Sequence, residues 1–500
     1  MVDTTHHATD ENHEGEYIPK SYQFERDMDY TPIDDRFDSL EFDDESNTHF
    51  AFPSMDELLE NPGKLKDMIN TFISEQKERI QILDGYSKGQ NYSILAGRRR
   101  LEKEKSDYRI RHNWGGYVSN FITGYLLGNP VTVAGDIDMD EINTINKEND
   151  IDTLNFELAF DASRFGRAFE LHYRGADSRD NIVLINPEEM FVIRDITVNK
   201  NIIGAVHCPV YDDKYYVTVY TDKEVISYEP TTETSLSFRI AKRRRHDYQD
   251  VPVVEWWNNR FRMGDFESEL STIDAYDAAQ SDTANYMSDL NDAMLVINGD
   301  LNAAGIGVSE AEQMKRANLL LLESGMDHTG KQTNLSAEYI YKQYDVSGVE
   351  AYKTRILKDI YKLTKIPNLD DEHFAGNQSG EALKHKLIGL EQIRVSKESF
   401  FTRALRRRYQ LISNVHQSLN TAPIDVQAMT FTFHPNLPSD VWAEVAQYIS
   451  AGGEVSQETL RELASFTDND IESQRINKES IRPNATDEER QFYLGGLNEG

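Results

Sequence analysis

A glycine-bounded turn, Gly376-Asn377-Gln378-Ser379-Gly380, follows the run Asp370-Asp371-Glu372-His373-Phe374 and leads into a helical pattern carrying Lys384 and Lys386. A glycine-rich turn that opens a helix beside a lysine suits phosphate, because free backbone N–H groups and the helix dipole both favour an anion there. The residue order argues against a nucleotide site. In a Walker loop the lysine directly follows the second glycine, whereas Gly380 is followed by Glu381, which sets a carboxylate against the phosphates. Ser379 reads instead as the cap of the following helix, with Asn377 and Gln378 in the turn. The acidic run is no metal site either, since consecutive residues cannot converge on one ion, and neither HExxH nor EF-hand spacing occurs. No G-x-S-x-G elbow is present, and the single cysteine, Cys208, excludes intrachain disulfides and Cys-based zinc or iron–sulfur sites. No catalytic constellation and no cofactor is expected.

The charged residues are unevenly placed. Between Arg262 and Lys315 there is no Lys or Arg, while Asp265, Glu267, Glu269, Asp274, Asp277, Asp282, Asp289 and Asp292 all fall there. Asp274 and Asp277 share a helix face, but within such a stripe they read as solvated surface and not as a tuned acid/base pair. Three basic clusters, Arg98-Arg99-Arg100, Lys242-Arg243-Arg244-Arg245 and Arg406-Arg407-Arg408, read as salt-bridging faces within or between subunits more readily than as nucleic-acid sites. The formal charge of −33 repels nucleic acid at long range. A protein this acidic can still handle DNA if it surrounds a duplex without gripping it.

Five hundred residues, 39% hydrophobic and 28% charged, fit a soluble multidomain protein. The first residues lack the basic start and apolar run of a signal peptide. The uncharged stretch Asn113–Gly135 contains Asn120, Thr123 and Gly128-Asn129-Pro130, which leaves fewer clean apolar positions than the roughly 20 a membrane span needs. It reads as a buried helix and a turn.

The elements around these residues follow from periodicity. Met1 to about Phe50 is too acidic and too poor in aliphatic residues to offset its ordering entropy and is expected to be a disordered arm. Ser54–Asn129 and Ile151–Gly166 have helical spacing. Between them and Phe261 the chain becomes β-branched and aromatic, in short runs such as "RAFELHYR" and "KYYVTVYT", which predicts a hairpin-rich layer ending in "VPVVEWWNNRF". A helix is predicted over Phe266–Asp292, and three strand-like runs follow, "MLVING", "NLLLLES" and "EYIYKQYD". A second amphipathic helix, with Val349, Tyr352, Ile356, Ile360 and Leu363 on one stripe and Lys353, Arg355, Lys358, Lys362 and Lys365 opposite, stops at Pro367. An acidic and a basic helix flanking a small β unit predict a helical hairpin of complementary charge. A long helix is predicted from about Gly380 to Val415, and short polar helices over Pro438–Gly500.

Four stretches resemble the portal proteins of tailed bacteriophages, in the branch found in long-tailed phages of Gram-positive hosts. They are "YSKGQNYSI", "RIRHNWGGYVSNFITGYLLGNPVTV", "QDVPVVEWWNN" with "FESELSTIDAYDAAQSDTAN", and, most specific, "PNLDDEHFAGNQSGEALKHKLIGLE". The resemblance implies an α+β portal fold. Its parts would be an acidic arm (1–50), a wing (51–265), a first stem helix (266–292), a small clip (293–345) and a second stem helix (346–366). A tunnel loop (367–380), a long helix with a return to the wing (381–437) and a helical crown (438–500) would follow. It also implies a non-enzymatic ring, usually of twelve subunits, at one vertex of the phage head. Such a ring would be assembled in the host cytoplasm and carried in the virion, without membrane contact. Double-stranded DNA would pass through it, driven by a separate terminase, and scaffold, major capsid protein and a head-completion adaptor would dock on it. On this reading Asp371, His373, Phe374, Gly376, Asn377, Gln378, Ser379 and Gly380 project into the channel. The stripe Asp274, Asp277, Asp282 and Asp289 faces the bore or balances the basic helix. The rival readings are a packaging enzyme, which would hydrolyse ATP, and another head component, which would be present in hundreds of copies.

Overall fold

Short polar residues set the helix boundaries at the start of the described chain. After β1 (Phe50–Ala51), the Ser54 hydroxyl accepts from the Glu57 N–H and opens α1 (Met55–Glu60). Asn61 ends that helix and caps the next, α2 (Pro62–Thr71), whose first residue is a proline with no N–H to leave unpaired. A π-helical turn, Phe72–Gln76, carries the chain into α3 (Lys77–Ser87), followed by α4 (Tyr92–Leu95), α5 (Trp114–Leu127), β2 (Thr132–Gly135), α6 (Met139–Glu148) and α7 (Ile151–Phe165). This computed structural model describes residues 47–96, 106–135, 139–175, 179–232, 238–289, 294–298, 336–340, 345–368 and 387–436. All lie in one of the chain's two structural units; the other, 377–384 with 437–500, lies outside them.

The uncharged stretch becomes α5, with Val118, Ile122 and Leu126 buried, and no helix among the described residues is long and apolar enough to cross a membrane. The β layer comprises β3 (Arg167–Arg174), β4 (Asp180–Ile185), β5 (Met190–Arg194), β6 (Ile202–His207), β7 (Val210–Tyr211), β8 (Lys214–Tyr215), β9 (Thr218–Tyr220), β10 (Glu224–Tyr228), β11 (Ile240–Arg245) and β12 (Val253–Trp257). It forms two main sheets, β1-β5-β6-β9-β10-β11 and β12-β3-β4, antiparallel except where β1 runs parallel to β5. The alternation of β5 explains why both of its faces are apolar. Phe191 and Ile193 pack under α1 and α2 with Phe72, while Met190 and Val192 pack against Phe169 and Leu171 of the other sheet.

Beyond the sheets come α8 (Leu270–Asp289), the strand pair β13 (Met294–Asn298) and β14 (Ser336–Ile340), α9 (Val346–Leu363), α10 (Ile388–Ser418) and β15 (Met429–Thr432). These correspond to the predicted helices over 266–292, 346–366 and 380–415; the run "NLLLLES" lies outside the described residues. α10 returns to the N-terminal half, where Phe401, Leu405, Tyr409 and Ile412 share a core with Leu158 of α7 and Trp256 of β12. β15 then pairs with β2.

The basic cluster on α10 is an intrachain tie, one of the two roles open to it from sequence. Arg407 pairs with Asp250 at 3.0 Å, and the fully buried Arg408 binds the equally buried Glu170 at 2.6 Å. In the second cluster Arg243 pairs with Glu224 across β10 and β11 at 3.2 Å. Arg98-Arg99-Arg100 lies outside the described residues.

Candidate functional site

The acidic helix α8 acquires its position from a segment with no regular structure of its own. Ser106–His112 runs extended beside it, and every second backbone N–H of that segment meets a side chain from every fourth residue of α8. The Tyr108 N–H donates to Asn285 Oδ1 at 2.7 Å, the Ile110 N–H to Ser281 Oγ at 2.9 Å, and the His112 N–H to Asp277 Oδ1 at 3.1 Å. Asn285 and Ser281 donate in return to the carbonyls of Tyr108 and Ile110, at 3.2 Å each. The match is geometric. Two extended residues advance about 6.6 Å and four helical residues about 6 Å, so the two repeats stay in phase over three contacts. Only short polar side chains can reach a backbone laid this close, and a lysine or arginine on that face would hold the strap away.

The expectation of a solvated stripe fails at Asp274 and Asp277. Asp277 is fully buried and Asp274 is 7% exposed. Asp277 accepts from Asn91 Nδ2 as well as the His112 N–H, and its Oδ1 lies 2.7 Å from His112 Nδ1. Asp274 accepts from the Tyr86 hydroxyl at 2.7 Å. Burial pushes the Asp277 carboxyl above its ordinary range, against the hydrogen bonds from His112 and Asn91 that favour the charged form. Neither side chain lies on the surface of the chain. Asp277 is buried because the amide and imidazole of His112 and the side-chain amide of Asn91 need an acceptor, and Asp274 because the buried Tyr86 hydroxyl does; a carboxylate can satisfy several donors at once. Asp282 is half-buried, and of the Asp289 side chain nothing is described.

Both helices of the pair meet on one indole. The Trp114 ring lies 6.1 Å from Tyr276 of α8 and 5.4 Å from Tyr361 of α9, edge-on to both, and His112 packs on Tyr276 at 5.0 Å. The glycines after Trp114 let this corner close, because a Cβ at Gly116 would meet the Ser87 carbonyl at 2.5 Å and one at Gly115 the Tyr86 carbonyl at 2.8 Å. The predicted charge complementarity of α8 and α9 is not what occupies Asp277, whose partners come from the strap and from Asn91, while the buried Lys353 pairs within its own helix with Glu350. The strap itself was missed from sequence. The legible trace was Asp277, Ser281 and Asn285 at four-residue spacing, a row of short acceptors that the acid count obscured.

The glycine-bounded turn and the acidic run before it, with Asp371, His373, Phe374, Gly376, Asn377, Gln378, Ser379 and Gly380, lie outside the described residues. Among the described residues no group of three or more His, Cys, Asp and Glu side chains is placed to hold a metal ion.

Comparison with known proteins supplies the class. The family model described as phage portal protein, SPP1 Gp6-like, matches residues 69–484, and the chain belongs to that family. The portal protein of Bacillus phage SPP1 is 23% identical over 343 residues, covering 65% of this chain and 64% of that protein. The portal protein of Clostridium phage phiCD119 is 23% identical over 355 residues, covering 64% of this chain and 75% of the relative. The resemblance read from the four stretches is thereby borne out, as is the host group. Among solved structures, the neck of an empty GTA particle computed with C6 symmetry has a TM-score of 0.42 at 13% identity, covering 70% of this chain and 89% of the other. The neck of a native GTA particle computed with C12 symmetry has a TM-score of 0.39 at 12% identity, with the same coverage. The family name denotes a structural component and not an enzyme.

Proposed function

We propose that this chain is the subunit of a portal ring, a channel at one vertex of a phage head through which the genome enters and leaves. The observation that carries the reading is the family match over residues 69–484. In this reading α8 and α9 are the stem, β13 with β14 belongs to the clip, the sheets and α1–α7 form the wing, and α10 returns to it. Residues 438–500 form the crown. Terminase, scaffold, major capsid protein and a head-completion adaptor are the partners, and the ring acts without a catalytic centre of its own. The exposed side of α9 supports assembly. Tyr352 and Leu363 of its apolar stripe, and Val346 in its first turn, are each about half exposed in the single chain. A neighbouring subunit is the cover this reading assigns them.

Assembly is the direct test. Twelve chains of 57.4 kDa give a closed species of about 0.7 MDa, which sedimentation and an annular outline in electron micrographs would both register. A monomer that persists across salt and protein concentrations would overturn the ring.

The turn 367–380 is assigned to the channel lining. Gly376 and Gly380 bracket three polar residues, and glycine's access to positive φ lets such a segment change shape at low cost. Gly376→Pro is expected to impair DNA packaging several-fold while ring assembly and particle number stay unchanged. Loss of the ring with normally folded monomer would place this segment at a subunit interface instead.

A further inference from the structure

In a chain of formal charge −33, one cavity is positive. It measures about 300 Å³ and lies on α10 against β12, lined among others by Arg194, Arg403, Arg406, Arg407, Trp257 and Phe400. The Trp257 ring is its floor, 5.8 Å from Phe400, and three guanidinium groups stand over that indole, Arg262 at 3.9 Å, Arg403 at 4.7 Å and Arg194 at 5.2 Å from its centroid. Arg407 is neutralised by Asp250. The buried Glu255 is shared by Arg194, by Arg262 at 3.1 Å and by Arg167 at 3.8 Å, one carboxylate against three cations. Burial opposes its charge, but the three arginines outweigh it and hold the carboxyl at about 2. Arg403 and Arg406 are exposed, and neither has an ion pair among the described residues. The site therefore offers unspent positive charge beside an aromatic floor.

The most acidic part of the chain precedes Asn47 in sequence. Residues 1–46 contain fifteen Asp and Glu against three Lys and Arg. The first described residue, Asn47, is fastened to the turn before α8, donating from Nδ2 to the Phe261 carbonyl at 2.9 Å and to the Arg262 carbonyl at 3.1 Å. Arg262 is the residue stacked on Trp257. The ten residues before Asn47, "FDSLEFDDES", carry Asp38, Glu41, Asp43, Asp44 and Glu45 with two phenylalanines. Extended, ten residues reach about 33 Å, enough to carry the segment from Asn47 across a cavity of this size. A tether this short makes the effective concentration of the segment millimolar, well above that of any free acidic peptide at ordinary protein concentrations.

We propose that this cavity docks the Phe37–Glu45 segment of the same chain's N-terminal arm, carboxylates on Arg403 and Arg406 and a phenylalanine on the Trp257–Phe400 floor. The inference does not depend on ring formation. Its consequence is that the positive site is covered from within, so that the chain presents no cationic pocket to other polyanions.

The test uses the full chain and site-directed disulfides. The single native cysteine, Cys208, is buried and its thiol is pushed up to about 12 by burial, so it stays silent under oxidised glutathione. Ser39→Cys with Gln410→Cys puts one thiol in the segment and one on the cavity wall while every arginine and carboxylate is kept. A disulfide within one chain, seen as a faster band on a non-reducing gel, is the expected result, and Arg403→Glu with Arg406→Glu should cut its yield about tenfold. A disulfide between two chains would overturn the same-chain assignment in favour of a neighbour's arm. No disulfide, or a yield indifferent to the two arginine reversals, would overturn docking altogether. Circular dichroism and thermal melting of each variant check that the substitutions leave the fold intact.

Discussion

Arg408→Ala is expected to cost about 3–5 kcal/mol, the range for removing one partner of a buried ion pair and leaving the other charge behind. Arg408 and Glu170 are both fully buried. The guanidinium donates from Nε to both carboxylate oxygens, at 3.0 and 3.1 Å, from Nη2 to Oε2 at 2.6 Å and from Nη1 to Asn155 Oδ1 at 2.7 Å. Trp256 Nε1 adds a hydrogen bond to Oε2 at 3.1 Å, and His172 Nε2 lies 2.7 Å from Oε1. One carboxylate thus joins α10, β3 and β12, and the same arginine reaches α7 through Asn155. Alanine would strand Glu170 with two weaker partners. Arg408→Lys is expected to rescue only part of the loss, because a single ammonium cannot bridge both oxygens and Asn155 together. The pH dependence has a definite sign. Burial pushes the Glu170 carboxyl up, but the charge and hydrogen bonds of Arg408, with His172, outweigh it and hold it at about 2. A folded value below the ordinary one of 4.5 means that the stabilisation is full above pH 4.5 and is lost as pH falls toward 2. Urea unfolding of the two proteins should therefore differ most near pH 7 and converge in acid. Equal unfolding midpoints at pH 7 would sink the account.

How much of this was legible in the sequence depended on what kind of partner a residue has. Ile356 and Ile360 of α9 are buried as their spacing predicted, because a helical stripe needs only its own periodicity to be recognised. Tyr352 and Leu363 belong to the same stripe and stand half exposed, since periodicity names a face without naming what covers it. The α8 acids were misread for the same reason. Charge type is visible in a sequence, but the Asp277 partners Asn91 and His112 lie 186 and 165 residues away, and the strap that carries His112 has no repeat to betray it. The basic run Arg406-Arg407-Arg408 divided into three environments, an exposed side chain, an ion pair with Asp250 and a buried tie to Glu170, because successive helical residues point 100° apart. The function was carried by the four matched stretches; the residues taken alone only argued against an enzyme.

Asp277→Ala is expected to destabilise the protein by about 3 kcal/mol, since it leaves the buried Asn91 Nδ2, the His112 N–H and His112 Nδ1 without their common acceptor. Asp277→Lys would be worse, adding a buried cation next to His112. A solvated stripe predicts the opposite, near-neutral changes at both. Amide hydrogen exchange separates the local from the global part of the loss. The Tyr108, Ile110 and His112 N–H groups bond to side chains and not to a backbone ladder, so their protection reports on the strap alone. In Asp277→Ala the His112 amide should lose protection first, and Ile110 and Tyr108 should follow because Ser281 and Asn285 hold a segment that is no longer in phase with the helix. Asp277→Asn keeps one acceptor oxygen but turns an N–H₂ toward donors, and it should fall between wild type and alanine. If all three amides keep their wild-type protection in Asp277→Ala, the strap is held by the Trp114 corner instead, and the buried acids of α8 would need another reason to be where they are.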